Sequence, residues 1–325
     1  MLGLDGNFYG ITTNGNTVDG TLFKMTPEGV VTVLHQFGSI VNDGYSVENA
    51  ILRPTPPVQT ADGTPYGTTT SGGQNGVGTV YKLTASGTYS IIHHFVLSLY
   101  RRKQPDSPLV VGKDGNLYGT TTAGGLPTAF SGTVFRITPS GAFKMLYSFN
   151  AFDDGGHQPR APLVKGTDGN FYGTTFGSPS LNDQGNIFRV TPTGAYTNLN
   201  ALDFVKGVTD GAFPSAGLVQ ASDGLFYGAT TRGGIPPSLL ADDAGVLFGI
   251  DRLGSCNVSH TFDKTVDGAR PIYSLVQHTN GKLYGTTRFS KTGLNPPGNG
   301  TIFSFDAGAR PFVFAQTSSG KGRYG

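Results

Sequence analysis

One phrase, written six times, constrains this chain more than any other feature. Asp-Gly-Asn-Phe-Tyr-Gly-Ile-Thr-Thr opens at Asp5, and its relatives open at Asp62, Asp114, Asp168, Asp223 and Asn280, 52 to 57 residues apart. A repeat of that period signals a solenoid, a propeller or an array of small units. Each copy holds four short blocks. The first has the shape Pro-x-x-x-Leu-Val, from Pro105, Pro159, Pro214 and Pro271, and the second is Leu-Tyr-Gly-Thr-Thr or a close variant. The third is typified by GTVFRITPSG from Gly132, and the fourth ends on an aromatic such as Phe37, Phe95, Phe149 or Phe262. Blocks of Val, Ile, Thr, Phe and Tyr bounded by glycine read as strands.

Two turns recur with them. The Asp-Gly before Leu-Tyr-Gly predicts a hairpin in which glycine supplies φ > 0. Thr-Pro-x-Gly between the third and fourth blocks predicts a second tight turn, with proline presetting φ. The 50 glycines among 325 residues are largely accounted for by these positions. Charged residues make up only 14% of the chain, too few for a helical fold rich in Glu and Lys. The expected fold is therefore all-β: a single domain over residues 1–325, built as a six-bladed β-propeller with four antiparallel strands per blade.

The copy LYGTTTAGGLPTAFSGTVFRITPSG, from Leu117 to Gly141, resembles the GloVer tandem-repeat proteins. These are bacterial chains built on L-Y-G-T-T-x-x-G-G…G-x-G-T-V-F-R-x-x-P-x-G. The resemblance runs over almost the whole chain and implies a secreted or cell-surface protein. The N-terminus, Met-Leu-Gly-Leu-Asp-Gly, lacks the charged and apolar regions of a signal peptide.

Several function classes are excluded early. The net charge is +2, and Arg101-Arg102-Lys103 is the only basic run, too small for a nucleic-acid footprint. No stretch approaches 18 apolar residues, so no membrane span is expected. The single cysteine, Cys256, permits neither an internal disulfide nor a cysteine metal cluster. Neither a G-x-S-x-G elbow nor a G-x-x-x-x-G-K-[ST] phosphate loop occurs. The chain is expected to act as a monomer on a small molecule.

In spatial order the strands run inner, second, third and outer. Both tight turns then share one face of the disc, and the linkers of variable length share the other. Variable loops on a rigid scaffold are the usual place for a site. Inner strands line the channel, and one residue after the proline position the copies show Glu48, Asp106, Arg160, Ser215 and Ile272. Glu48, Asn49 and Asp106 are candidate oxygen ligands for Ca²⁺, although no contiguous metal motif contains them. His157, just before an inner strand, is the candidate general base, with Arg160 beside it. His278 should fall on the turn face. His35, His93 or His94, and His260 recur with the repeat and read as structural.

Two functions remain open. Six-bladed propellers of the paraoxonase and gluconolactonase types hydrolyse small esters and lactones around a channel Ca²⁺. By analogy, this chain would be a metal-assisted hydrolase of small esters or lactones, with acyl-homoserine lactones as candidate substrates. The alternative is a non-enzymatic surface protein that binds a carbohydrate or protein. The varying charge along the inner strands tilts the sequence reading toward the hydrolase.

Overall fold

The computed structural model describes residues 1–12, 20–45, 55–84, 87–98, 101–102, 104–125, 130–150, 156–177, 184–202, 211–233, 244–264, 266–290 and 300–308. Among them there is no helix, and the fold is all-β and propeller-type. Each repeat unit forms its own antiparallel sheet. The third unit shows the plan: an inner strand Val110–Val111, a second strand Leu117–Thr121, a third Phe130–Ile137 and an outer strand Phe143–Asn150, hydrogen-bonded in that order. Units two, four and five repeat the same four-strand order. In the first unit an isolated bridge, Leu2 to Phe8, stands where the inner strand would pair. In the sixth, Ala269–Pro271 also pairs with the far end of the second strand Leu283–Phe289.

The register follows from a size match. In every unit the glycine of Leu-Tyr-Gly lies opposite the aromatic of the third strand: Gly119 faces Phe135, Gly173 faces Phe188 and Gly228 faces Phe248. The ring lies across the glycine so closely that a Cβ on Gly173 would sit 2.6 Å from Phe188. A one-residue slip would put a side chain under that ring and turn the buried set outward. Both predicted turns form with their glycines at positive φ, for example 74° at Gly115 and 96° at Gly141.

The core lies between sheets as much as within them. Tyr118 stacks on Phe171 of the next unit, and Tyr172 stacks on Phe226, both with ring centres 4.0 Å apart. On the outer strands, His35 stacks on Tyr89, His93 on Phe143 and Tyr147 on Tyr196. The repeated histidines are thus structural, as expected. Asp43 and Asp267 hold two of them, their carboxylates accepting from Nε2 of His35 and of His260 at 2.8 Å. The first unit is less covered. Its Phe8 is 41% exposed, whereas the equivalent Phe171 and Phe226 are fully buried.

In the third, fourth and fifth units only the end of the Pro-x-x-x-Leu-Val block is strand. Pro105 and Pro108 have no N–H to give a ladder, and side chains bond across instead. Ser107 meets Thr120, and Thr55 meets Thr68, hydroxyl to hydroxyl at 2.8 and 2.9 Å. At the other end of the second strand, Tyr118 donates to Asp114 at 2.8 Å. Burial would raise the Asp114 carboxyl, yet hydrogen bonds from Asn116 and Tyr118 outweigh it and hold the group below its ordinary value. Burial and this bond push Tyr118 up to about 12. His278 lies exposed at the equivalent turn of the sixth unit, as expected, and its Nδ1 accepts from the Asn280 backbone.

Candidate functional site

A cavity of about 420 Å³ opens among the fourth, fifth and sixth units on the face opposite the tight turns, lined by Arg160, Phe176, Phe213, Ser215, Thr231, Arg232, Arg270, Ile272 and Arg288. Two repeat positions supply nearly all of it. One brackets the inner-strand proline: Phe213 and Ser215 around Pro214, Arg270 and Ile272 around Pro271, and Arg160 after Pro159. The other lies at the end of the second strand or just beyond it, at Phe176, Thr231, Arg232 and Arg288.

The backbone brings the two positions together. Phe176 donates its N–H to the Gln158 carbonyl at 3.1 Å, and Thr231 donates to that of Phe213 at 3.2 Å. The proline is set against the glycine that opens the third strand of the preceding unit. A Cβ on Gly132 would lie 2.7 Å from Pro159, and one on Gly185 would lie 2.8 Å from Pro214. Those glycines have φ of 103° and 97°, so glycine is required there twice over. The residue before the proline is turned as well. Gln158, Phe213 and Arg270 have φ of 53°, 57° and 57°. Left-handed backbone is uncommon for any residue with a Cβ. Its recurrence at one repeat position, against a cavity, is the pattern expected of a functional surface.

Each of the four arginines lies over an aromatic ring. The Arg160 guanidinium carbon is 4.2 Å from the centre of Phe176, and that of Arg232 is 5.3 Å from Phe213. Arg270 and Arg288 share Phe289, at 5.5 and 5.4 Å. Such stacking is worth about 0.5–2 kcal/mol per pair and fixes the guanidinium plane. Arg160 is further held by a 2.6 Å bond from its Nη2 to Gln158 Oε1. Two polar atoms of the lining, Ser215 Oγ and Arg270 Nε, are buried without a hydrogen-bond partner among the described residues. Leaving such a group unsatisfied costs roughly 1–3 kcal/mol. Among the described residues, no carboxylate lines the cavity.

Of the residues singled out from sequence, Arg160 lies in the cavity. Asp106 holds the equivalent place in the third unit and is half-buried, outside the lining. Glu48 and Asn49 lie outside the described residues. His157 is 8% exposed and does not line the cavity. It takes the position of Ala212 and Ala269, both buried, and its carbonyl accepts from Gly177 N. Among the described residues, no group of three His, Cys, Asp or Glu side chains could hold a metal. Four guanidiniums and no carboxylate make this cavity a poor fit for Ca²⁺, which takes oxygen ligands. Arg232, Arg270, Arg288 and the three phenylalanines were missed. Aligning the copies exposes two of them, Phe176 and Arg288: the residue after Tyr-Gly-Thr-Thr, or Tyr-Gly-Ala-Thr in the fifth unit, is Thr70, Thr122, Phe176, Thr231 and Arg288.

The model of the Gloeobacter/Verrucomicrobia repeat matches residues 53–303. The chain belongs to the Gloeobacter/Verrucomicrobia repeat family. The LYGTT…GTVF phrases are this family's repeat. Among curated proteins, none matches the chain by sequence. Among solved structures, this member of the repeat family is similar to a puromycin hydrolase, with a TM-score of 0.52 at 16% identity, over 93% of this chain and 42% of that one. It is also similar to regucalcin, a calcium-binding protein from Agrobacterium tumefaciens, with a TM-score of 0.46 at 14% identity, over 87% and 81% of the two chains. A protein of unknown function from Dyadobacter fermentans gives 0.46 at 12% identity, over 88% and 82%. At these identities the likeness is one of fold alone. No helix among the described residues is long and apolar enough to cross a membrane.

Proposed function

We propose that this chain is a six-bladed β-propeller that binds a small organic anion at the mouth of its channel. The observation that carries the reading is the convergence of Arg160, Arg232, Arg270 and Arg288 on one cavity, with no carboxylate among the described residues of its lining. A guanidinium offers a planar fork of donors that matches carboxylate or phosphate oxygens. Like charges gathered in one cavity repel, and an anion relieves that repulsion. The volume falls within the ~300–1,000 Å³ usual for small-molecule sites. One chain supplies every lining residue, so a monomer suffices. Ring closure would bring the sixth unit against the open side of the first, covering Phe8.

Calorimetric titration at low salt with citrate, glucuronate and phosphate tests this. At least one should bind, and Arg160→Gln or Arg232→Gln should weaken it by about 1.5–3 kcal/mol, the worth of a charged hydrogen bond. Titrations without heat, or variants that bind as wild type, would overturn the reading.

A hydrolytic use of the same cavity is the second reading, favoured by Arg160 and by the fold shared with a puromycin hydrolase. The arginines would stabilise the oxyanion formed as water attacks an ester or lactone. Turnover of acyl-homoserine lactones or p-nitrophenyl esters, lost in Arg160→Gln, would support it; no turnover would leave the binding role. Repeating the assay with EDTA asks whether Ca²⁺ takes part.

A further inference from the structure

The four arginines fall into two groups. Arg160 stacks on Phe176, which lies 5.4 Å from Phe213, which carries Arg232. This first group belongs to the fourth and fifth units. Arg270 and Arg288 form the second group, in the sixth unit, both lying over Phe289. Ser215 and Ile272, at the same repeat position of adjacent units, also line the cavity. Resting on the anion-binding reading above, we infer that the ligand has two separated anionic groups joined by a short spacer, one for each arginine pair.

The chemistry narrows the class further. The rings of Phe176, Phe213 and Phe289 carry guanidiniums. Recognition therefore works through charged forks and not through sugar packed on an open aromatic face. The Ser215 hydroxyl and Arg270 Nε, buried and unpartnered among the described residues, offer hydrogen bonds to an oxygen-bearing spacer or to the anionic group itself. Ile272 adds an apolar contact. The fitting molecules are dicarboxylates and bisphosphorylated polyols, which share two terminal oxyanions.

Matched pairs separate this from simple anion binding. Hexanoate against adipate and pimelate tests the carboxylate source, and fructose 6-phosphate against fructose 1,6-bisphosphate tests the phosphate source. By calorimetry at low salt, one dianion should bind on the order of 10–100-fold tighter than its monoanion, as a second charged contact would give. Arg288→Gln, at an exposed side chain, should bring the affinity ratio within the binding pair down toward one, and Arg232→Gln should lower the same ratio from the other group. Equal affinity within both pairs, with binding retained, would overturn the two-group ligand and leave the anion site standing. If neither class binds, both readings fall.

Discussion

Gly185 sits where three constraints meet, and replacing it with alanine tests how the site is positioned. Its φ is 97°, a region that costs a residue with a Cβ about 1–3 kcal/mol. The new methyl would also press on the Thr175 carbonyl and lie 2.8 Å from Pro214. Overpacking of that kind costs typically 1–3 kcal/mol. Together the loss should be about 2–6 kcal/mol, a large part of the roughly 5–15 kcal/mol that holds a protein folded. Gly115→Ala is the control. Its φ is 74°, and nothing lies within 4 Å of the added carbon, so only the backbone term of about 1 kcal/mol applies. In guanidinium chloride, with a denaturant slope of about 5 kcal/mol/M, the Gly185 variant should unfold roughly 0.5 M earlier than the control. Coincident midpoints would refute the idea that the glycine seats the proline. Because Phe213 and Ser215 flank Pro214, the variant should also bind anions more weakly than the Gly115 control does.

Two further outcomes follow from the turn face and the rim. Tyr118→Phe removes the bond to Asp114 and should cost about 1 kcal/mol at pH 7. Asp114 is held below 3.8 in the folded chain, so its contribution is present above that value and fades as pH falls through the folded pKa. The gap between the urea midpoints of wild type and variant should therefore hold from pH 7 down to 3.8 and close only as pH falls further; a gap that closes at higher pH would contradict the linkage. Gln158→Gly relieves a left-handed backbone at φ 53°. Chemical denaturation should show it neutral or more stable by up to about 1 kcal/mol, whereas a clear loss would mean the backbone there is unstrained.

The scaffold was legible because its signals are local and repeated. Glycine opposite an aromatic ring sets the register in every unit, and Asp-Gly sets the hairpin, so the alternation alone ordered the strands. The cavity was harder, because it is composed of departures from the repeat. Phe176 and Arg288 each read as loop residues until the unit copies are laid over one another. Arg160 stood out because it follows a proline in a recognisable block. Arg270 precedes one, and nothing in the letters says that the pre-proline residue is left-handed and faces the same space. His157 misled for the matching reason: charge and chemistry suggested a base, but Ala212 and Ala269 at its position mark a place that is packed under the rim. The Ca²⁺ reading drew on charge differences between copies without the arginines that dominate the surface.

The pairing of a strained residue with a proline seated on its neighbour's glycine separates two jobs within each unit. Aromatic stacks between sheets hold units together through residues that barely change. The rim is spelled by a few side chains that take no part in those stacks. A chain built this way can acquire a new ligand by rewriting two or three letters in one copy while the others keep the frame. Duplication of the unit then supplies raw material for recognition as well as for structure. The asymmetric cavity, arginine-rich on one side of a repetitive frame, is what such piecemeal rewriting leaves behind.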